Sequence, residues 1–418
     1  MSTPNLTPAA PPATPAGPID PLDLTVEQAD LARALRIVGR AVPARASLPT
    51  LDHAVLEATP GRLTLSATDL TISLLTAIPA DVATPGRLTL PARLLGDYAS
   101  QLPTGPVRLM AEPTSGRVRV GAARALARLA ATDASAAPAV PPPDMATART
   151  LDASSLRRAL AAVVPAASRD ESRSVLRAVR VALDAGGLGL AAADGFRLAR
   201  VRLPADSGET RELLIPARAL AEAARLLADA EVARLVAPPD GRGVWLVAGA
   251  SGLYARLLEG PFPDTAGLVP ARWRTRVTVE RAALQGALQR ADLFHREETG
   301  NRPVALAAGA GSLRVAARVP EVGEVESEIA ADLAGAPGTI VVDTRLLADF
   351  LAAAGAARLT LSWDGPAGAL VVRGVDEEPG ATDEAAGDVW LVMPLHQPQL
   401  VQRGDDGAVE PAAAVAAA

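Results

Sequence analysis

The sequence has no cysteine and no lysine, and only three histidines, His53, His295 and His396. Without cysteine there is no disulfide, no thiolate metal site and no cysteine nucleophile. No two histidines lie within a helical turn of each other, which argues against a zinc centre or a Ser-His-Asp triad. No apolar run reaches the roughly 18 residues that a membrane span requires. The N-terminus lacks a basic segment followed by an apolar core, so no secretory signal is expected and a cytoplasmic protein is. All 41 basic residues are arginine, and 47 acidic residues bring the formal charge to −6. In a chain so rich in alanine, the exclusive use of arginine reads as a coding bias. Overall basicity cannot drive nucleic-acid binding here, which would need arginines gathered on one surface.

What is present is a repeat. At 418 residues the chain has room for about three domains of roughly 150 residues each, and a hydrophobic fraction of 49% fills several cores. The phrase Leu24-Thr25-Val26-Glu27-Gln28-Ala29-Asp30-Leu31, with Leu35 one turn later, reads as an N-cap threonine, a capping box completed by Gln28, and an amphipathic helix. It returns at Thr150-Leu151-Asp152 with Leu156 and Leu160, and again at Thr278-Val279-Glu280 with Leu284 and Leu288. In every copy the leucine follows the threonine by six positions.

A second phrase fixes the register. Leu90-Pro91-Ala92-Arg93-Leu94-Leu95 matches Ile215-Pro216-Ala217-Arg218-Ala219-Leu220 and Val342-Asp343-Thr344-Arg345-Leu346-Leu347. Each is an apolar strand end, a proline or aspartate at a helix start, and an amphipathic helix. From the threonine to this start the separations are 66 (Thr25 to Pro91), 66 (Thr150 to Pro216) and 65 (Thr278 to Asp343). Strand-like segments such as Arg62–Leu65, Gly187–Leu190 and Ser312–Val315 lie between the helices. Two alternating runs split by a glycine-containing turn follow each second helix: Val107–Met110 with Arg117–Val120, Val232–Val236 with Val244–Val247, and Arg358–Ser362 with Leu370–Arg373. A period of roughly 125 residues is a whole α+β domain, far beyond the 20–50 residues of solenoid repeats. The organisation expected is a disordered leader over 1–21, three domains over 22–143, 144–270 and 271–397, and a disordered tail over 398–418. Pro-rich Ala139–Asp144 and Pro261–Arg274 read as the linkers.

Several stretches resemble one family. Arg45-Ala46-Ser47-Leu48-Pro49-Thr50-Leu51 is similar to an Arg-x-Thr/Ser-Leu-Pro-Ile-Leu segment, and Ala67-Thr68-Asp69-Leu70 to a Gly/Ala-Thr-Asp-Leu strand. Asp170-Glu171-Ser172-Arg173-Ser174-Val175-Leu176 resembles Asp-Glu-x-Arg-x-Val-Leu, and Ala193-Asp194-Gly195-Phe196-Arg197-Leu198-Ala199 resembles Thr-Asp-Gly-His-Arg-Leu-Ala. Phe262-Pro263-Asp264 and Val392-Met393-Pro394-Leu395 complete the series. The family is that of the bacterial DNA sliding clamp, the beta subunit of DNA polymerase III, and the likeness runs from about Leu24 to Gln397.

The resemblance implies three tandem clamp domains, each with two helices and antiparallel sheets, and a head-to-tail homodimer closing a six-domain ring around double-stranded DNA. Binding would be sequence-independent, through arginines on phosphates. The implied DNA-facing residues are Arg45, Arg93, Arg173, Arg197, Arg218 and Arg345, of which Arg93, Arg218 and Arg345 occupy one repeated position. The family also captures DNA polymerase, repair and clamp-loader subunits by short peptide motifs in an apolar pocket between the second and third domains. The matching positions are Leu176, Ala193, Gly195, Phe196, Arg197, Leu198, Pro263, Leu268, Leu391, Val392, Met393, Pro394 and Leu395. No cofactor or metal is expected, and no membrane partner.

The chain also departs from the family pattern. Thr265, Ala266 and Gly267 stand where a tyrosine and basic residues are usual, Phe196 replaces a histidine, and His396-Gln397 lead into a long tail. Gly121-Ala122-Ala123-Arg124-Ala125-Leu126 carries small residues along the edge that in the family pairs with a partner subunit. An enzyme is disfavoured: Asp194-Gly195 has no base, metal set or phosphate loop beside it, and Gly309-Ala310-Gly311 precedes a strand and is too short for a dinucleotide fingerprint. The competing reading is a clamp-like interaction scaffold that no longer encircles DNA.

Overall fold

The structure is a computed structural model that describes residues 19–45, 48–204, 210–238, 241–295, 300–375 and 388–395, with 402–403 and 409–410. His396, Gln397, positions 1–18 of the leader and the remainder of the tail lie outside the described residues. The first copy comprises β1 (Asp23–Glu27), α1 (Gln28–Val38), β2 (His53–Thr59), β3 (Arg62–Thr68), β4 (Ile72–Pro79), β5 (Asp81–Thr84), β6 (Gly86–Pro91), α2 (Ala92–Gln101), β7 (Pro106–Glu112), β8 (Arg117–Ala122), β9 (Ala125–Ala130) and β10 (Thr132–Asp133). The second comprises β11 (Arg149–Asp152), α3 (Ala153–Val163), β12 (Ala178–Asp184), β13 (Gly187–Ala193), β14 (Arg197–Leu203), β15 (Arg211–Pro216), α4 (Ala217–Leu226), β16 (Val232–Val236), β17 (Gly243–Ala248) and β18 (Ser251–Arg256). The third comprises β19 (Thr275–Glu280), α5 (Arg281–Phe294), β20 (Pro303–Gly309), β21 (Ser312–Val319), β22 (Gly323–Gly335), β23 (Gly338–Asp343), α6 (Thr344–Ala353), β24 (Arg358–Trp363), β25 (Leu370–Val375) and β26 (Val389–Val392).

The three first helices bury the same stripe. Leu31, Ala34, Leu35 and Val38 on α1 correspond to Leu156, Ala159, Leu160 and Val163 on α3, and to Leu284, Ala287, Leu288 and Ala291 on α5. That i, i+3, i+4, i+7 spacing is one face of a helix laid on a core. Each fully buried leucine contributes about 1.5–3 kcal/mol. The strands alternate accordingly: Leu63, Leu65 and Ala67 of β3 are buried, with half-buried Thr64 and Ser66 between them. Among the described residues no helix is long and apolar enough to cross a membrane.

The threonines that open each copy are not helix caps. Thr25, Thr150 and Thr278 sit inside β1, β11 and β19, and the caps are Glu27, Asp152 and Glu280, two residues further on. The cause is sheet pairing: Thr25 lies opposite Arg108, Thr150 opposite Arg234 and Thr278 opposite Thr360, so a ladder holds each threonine in extended backbone. Of these three caps only Asp152 uses its side chain, and the Ser155 hydroxyl, the Ser155 N–H at 2.7 Å and the Ser154 hydroxyl hold its carboxyl at about 2. The starts of the second helices fall where the sequence places them, with Pro91, Pro216 and Asp343 as the caps of α2, α4 and α6.

The copies also share their strand pairing. The opening strand pairs the strand after the second helix, as β1 with β7, β11 with β16 and β19 with β24. Four of the strands between the helices follow one order in every copy, as β6-β2-β3-β4, β15-β12-β13-β14 and β23-β20-β21-β22, while β5 pairs the opening strand β1. The chain divides into two compact units, 1–146 with 245–256, and 147–244 with 257–418. In the first unit β18 adds to β4, with Ser251 opposite Thr76 and Ala255 opposite Ile72. In the second, β26 adds to β14, with Arg197 opposite Val392 and Arg200 opposite Val389. In both cases the last strand of one copy completes the edge of the copy before it. The proline-rich segment after the first copy is fastened by the Trp245 indole N–H, which donates to the Pro141 carbonyl at 3.0 Å.

Asp343 is 3% exposed and caps α6 from its first turn. Its Oδ1 accepts from the Arg345 N–H at 2.9 Å and its Oδ2 from the Arg302 N–H at 3.1 Å. Asp343→Ala is expected to cost about 2 kcal/mol, the upper end for removal of a cap because the Arg302 N–H is orphaned too. Asp343→Asn should recover most of it, as read from denaturant midpoints.

Candidate functional site

The expected pocket residues gather where β14 meets β26, and strand register sorts them by face. Directly opposed residues point to the same side of a sheet. Ala193 pairs Leu198 and Leu198 pairs Leu391, and these three buried side chains form one apolar cluster. On the other face lie Arg197 and Val392, opposite each other, with Val392 also opposite Leu370. That second face is the helical one: Trp390, two residues before Val392, stacks on Phe350 of α6 with ring centroids 5.8 Å apart. Val392, fully buried there, is a core residue under the helices.

Around the cluster stands an exposed rim. Phe196 and Met393, and Leu268 next to the cluster's Val269 in sequence, are large apolar side chains that are 63%, 42% and 52% exposed. Phe196 and Met393 are tied by the Met393 N–H, which donates to the Phe196 carbonyl at 2.8 Å. Pro263 is exposed; Leu176, Pro394 and Leu395 are half-buried, and the Leu395 N–H is held by the Val341 carbonyl at 2.8 Å. Val269 and Ala369 also pack against the cluster, and sequence reading did not single them out. Ala369 is detectable from parity alone, since it precedes β25 in step with Val371. Val269 follows a 3-10 turn at Ala266–Leu268, where no periodicity marks it.

The turn that carries Gly195 is built for its position. Asp194 Oδ1 accepts from both the Phe196 and Arg197 N–H groups at 2.9 Å. Asp69 makes the same double capture of Thr71 and Ile72 in the first copy. Gly195 has φ +94, and a Cβ there would stand 3.1 Å from Arg173 Nη1. A side chain at 195 would therefore strain the backbone and push against the arginine loop. Asp170 braces that loop, its carboxyl held below the usual range by the Ser172 N–H and hydroxyl.

The six arginines fall into two groups. Arg45, Arg93, Arg173, Arg218 and Arg345 are exposed. Arg93, Arg218 and Arg345 stand in the first turns of α2, α4 and α6, where helix dipoles add to their positive charge. Arg93 donates to the Pro43 carbonyl at 2.9 Å and Arg345 to the Gly300 carbonyl at 2.8 Å, which fixes both side chains near the surface. Arg173 lies 3.9 Å from Asp170. Arg197 is different: its side chain is 10% exposed and pairs with Asp194 at 3.0 Å and Asp349 of α6 at 2.6 Å, and it donates to the Pro165 carbonyl. Its charge is committed inside the protein, where it ties β14 to α6. Arg197→Ala is expected to cost about 3 kcal/mol by stranding the mostly buried Asp194, and Asp349→Ala under about 1 kcal/mol because that carboxylate is half exposed. Denaturant midpoints of the two variants check the ordering.

Sequence profiles of the DNA polymerase III beta subunit match all three copies in order: the N-terminal domain over residues 22–136, the central domain over 150–264 and the C-terminal domain over 267–383. The beta sliding clamp of Synechocystis sp. is 31% identical over 353 residues, covering 79% of this chain and 90% of the relative. That of Streptomyces coelicolor is 27% identical over 381 residues, covering 90% and 99%. The fold is that of the Bacillus subtilis DNA polymerase sliding clamp, with a TM-score of 0.83 at 24% identity over 90% of this chain and 100% of the other. A Pseudomonas aeruginosa sliding clamp bound to griselimycin aligns over the same shares, with a TM-score of 0.81 at 25% identity. With the repeat, its strand pairing and these likenesses together, the chain belongs to the beta sliding clamp family of DNA polymerase III beta subunits.

Proposed function

We propose that the protein is a DNA sliding clamp, a processivity factor that closes head to tail with a second copy around duplex DNA, tethers DNA polymerase and performs no chemistry itself. The observation that carries this is a pair of unfilled strand edges. β9, β18 and β26 are equivalent, each the third strand after the second helix of its copy, and β4, β14 and β22 are the equivalent sheet edges. Within the chain β18 fills β4 and β26 fills β14. This leaves β9, and residues 323–330 of β22, with no strand on their outer sides among the described residues. Two open edges of matching origin favour assembly of a second copy in the same geometry.

The edges are also complementary in charge. β22 presents exposed Glu324, Glu326 and Glu328, whereas the β8–β9 hairpin presents Arg124 and Arg128. The stretch read as the edge, residues 121–126, spans the end of β8, the hairpin turn and the start of the outer strand β9, where Leu126 is 52% exposed. Ring closure thus has an apolar contact and opposite charges to work with, which favours the clamp over the scaffold. Inside the ring Arg45, Arg93, Arg173, Arg218 and Arg345 meet phosphates, and the Phe196, Leu268 and Met393 rim receives partner peptides. A cytoplasmic setting follows from that work.

Loaded onto nicked circular DNA by a clamp loader, the protein is expected to stay bound until the circle is cut and then leave by the ends; retention on linear DNA, or failure to load, refutes encirclement. Replacing Arg93, Arg218 and Arg345 by alanine should flatten the salt dependence of DNA binding by roughly 0.9 in log–log slope for each phosphate no longer neutralised, with the dimer unchanged. Reversing Glu324, Glu326 and Glu328 to arginine should weaken the dimer roughly 10-fold or more in sedimentation experiments, and reversing Arg124 and Arg128 as well should restore it.

A further inference from the structure

The chain itself passes along the apolar rim on its way out of β26. The ladder between β14 and β26 continues one step past both strands, where the Met393 N–H donates to the Phe196 carbonyl at 2.8 Å. Phe196 and Met393 stand two residues from Leu198 and Leu391 of the buried cluster, so by strand period they border it. Both are exposed large apolar side chains. Two residues beyond Met393, the Leu395 N–H is held by the Val341 carbonyl at 2.8 Å. The C-terminal segment therefore starts within about 7 Å of Met393, the reach of two extended residues.

The sequence after Leu395 suits that surface. Positions 396–402 contain neither a carboxylate nor an arginine, and the first acidic residue of the segment is Asp405. Leu400 and Val401 are its first branched aliphatic residues. Residues 402–403 pair with 409–410, so 396–401 is the stretch of chain that joins the sheet to this hairpin. From Leu395 to Leu400 the chain spans at most about 18 Å, longer than the return to Met393. An uncharged apolar pair leaves water without stranding a charge. A short tether also holds it at a local concentration on the order of millimolar. Weak docking suffices there: an intrinsic dissociation constant of roughly 0.1 mM weakens a competing peptide about 10-fold.

We propose that the segment 396–401 docks its Leu400–Val401 pair on the apolar rim of its own molecule, so that a partner peptide must displace it to bind. The proposal rests on the peptide-docking reading above and adds regulation of that surface by the chain's own C-terminal segment. Docking by the same segment of another copy is the alternative that the experiment separates.

The test compares the full-length protein with its double variant Leu400→Ser, Val401→Ser. The probes are synthetic peptides with leucine and phenylalanine anchors one to three residues apart, titrated into labelled protein at two protein concentrations. A peptide that binds is expected to bind the double variant about 10-fold more tightly than the unaltered chain, at both concentrations. Adding Phe196→Asp to the double variant should abolish that binding, which assigns the probe to the rim. A synthetic peptide of residues 396–403 should displace the probe from the double variant, and its Ser-Ser counterpart should not. Equal probe affinity for the unaltered chain and the double variant overturns the proposal and leaves the docking reading standing. No binding of any probe to either protein overturns both. An advantage that vanishes at the lower protein concentration assigns the rim to the segment of another copy and also overturns the proposal.

Discussion

Antiparallel pairing between the last strand of one copy and the open edge of the copy before it is the interaction on which the rest depends. Each copy buries its own helices well enough, but its sheet of four strands ends in unpaired N–H and C=O groups. Such an edge is a template for whatever strand comes next. Here the next strand is supplied by the following copy, as β18 on β4 and β26 on β14. A chain with three copies can satisfy two such edges, and among the described residues a third acceptor and a third donor remain. Assembly through those remainders needs no new principle, only a second molecule.

The same pairing creates the surface proposed to receive partner peptides. Joining β26 to β14 sets Leu391 beside Leu198 on the outer face, while the strand period of two turns Val392 and Arg197 inward under α6. On the outer face, Val269 and Ala369 are the partly buried apolar residues that pack against the cluster among the described residues. That leaves apolar side chains exposed at Phe196, Leu268 and Met393. Arg197, which by motif alone belongs with the DNA-facing arginines, serves the joint instead by pairing with Asp194 and Asp349. A buried guanidinium satisfied on several sides fixes geometry more than it adds stability.

Much of this was legible in the chain itself. Leucines at fixed spacing marked the first helices, and proline or aspartate after an apolar run marked the second. The order of the motifs from Arg45 to Met393 identified the family. The misplaced caps have a simple cause: a threonine before an amphipathic run satisfies both a cap and a strand end, and only the partner strand distinguishes them. The edge stretch 121–126 overlaps the outer strand β9, but a run of small residues does not reveal that a hairpin turns inside it.

The sequence by itself determined the period, the number of copies, the helix faces and the family, because these depend on residues near one another in the chain. Only the tertiary structure decided which face each pocket residue takes and which arginines stay exposed. Those outcomes depend on the register between strands far apart in the chain. A shift of one residue in that register would send every side chain to the opposite face.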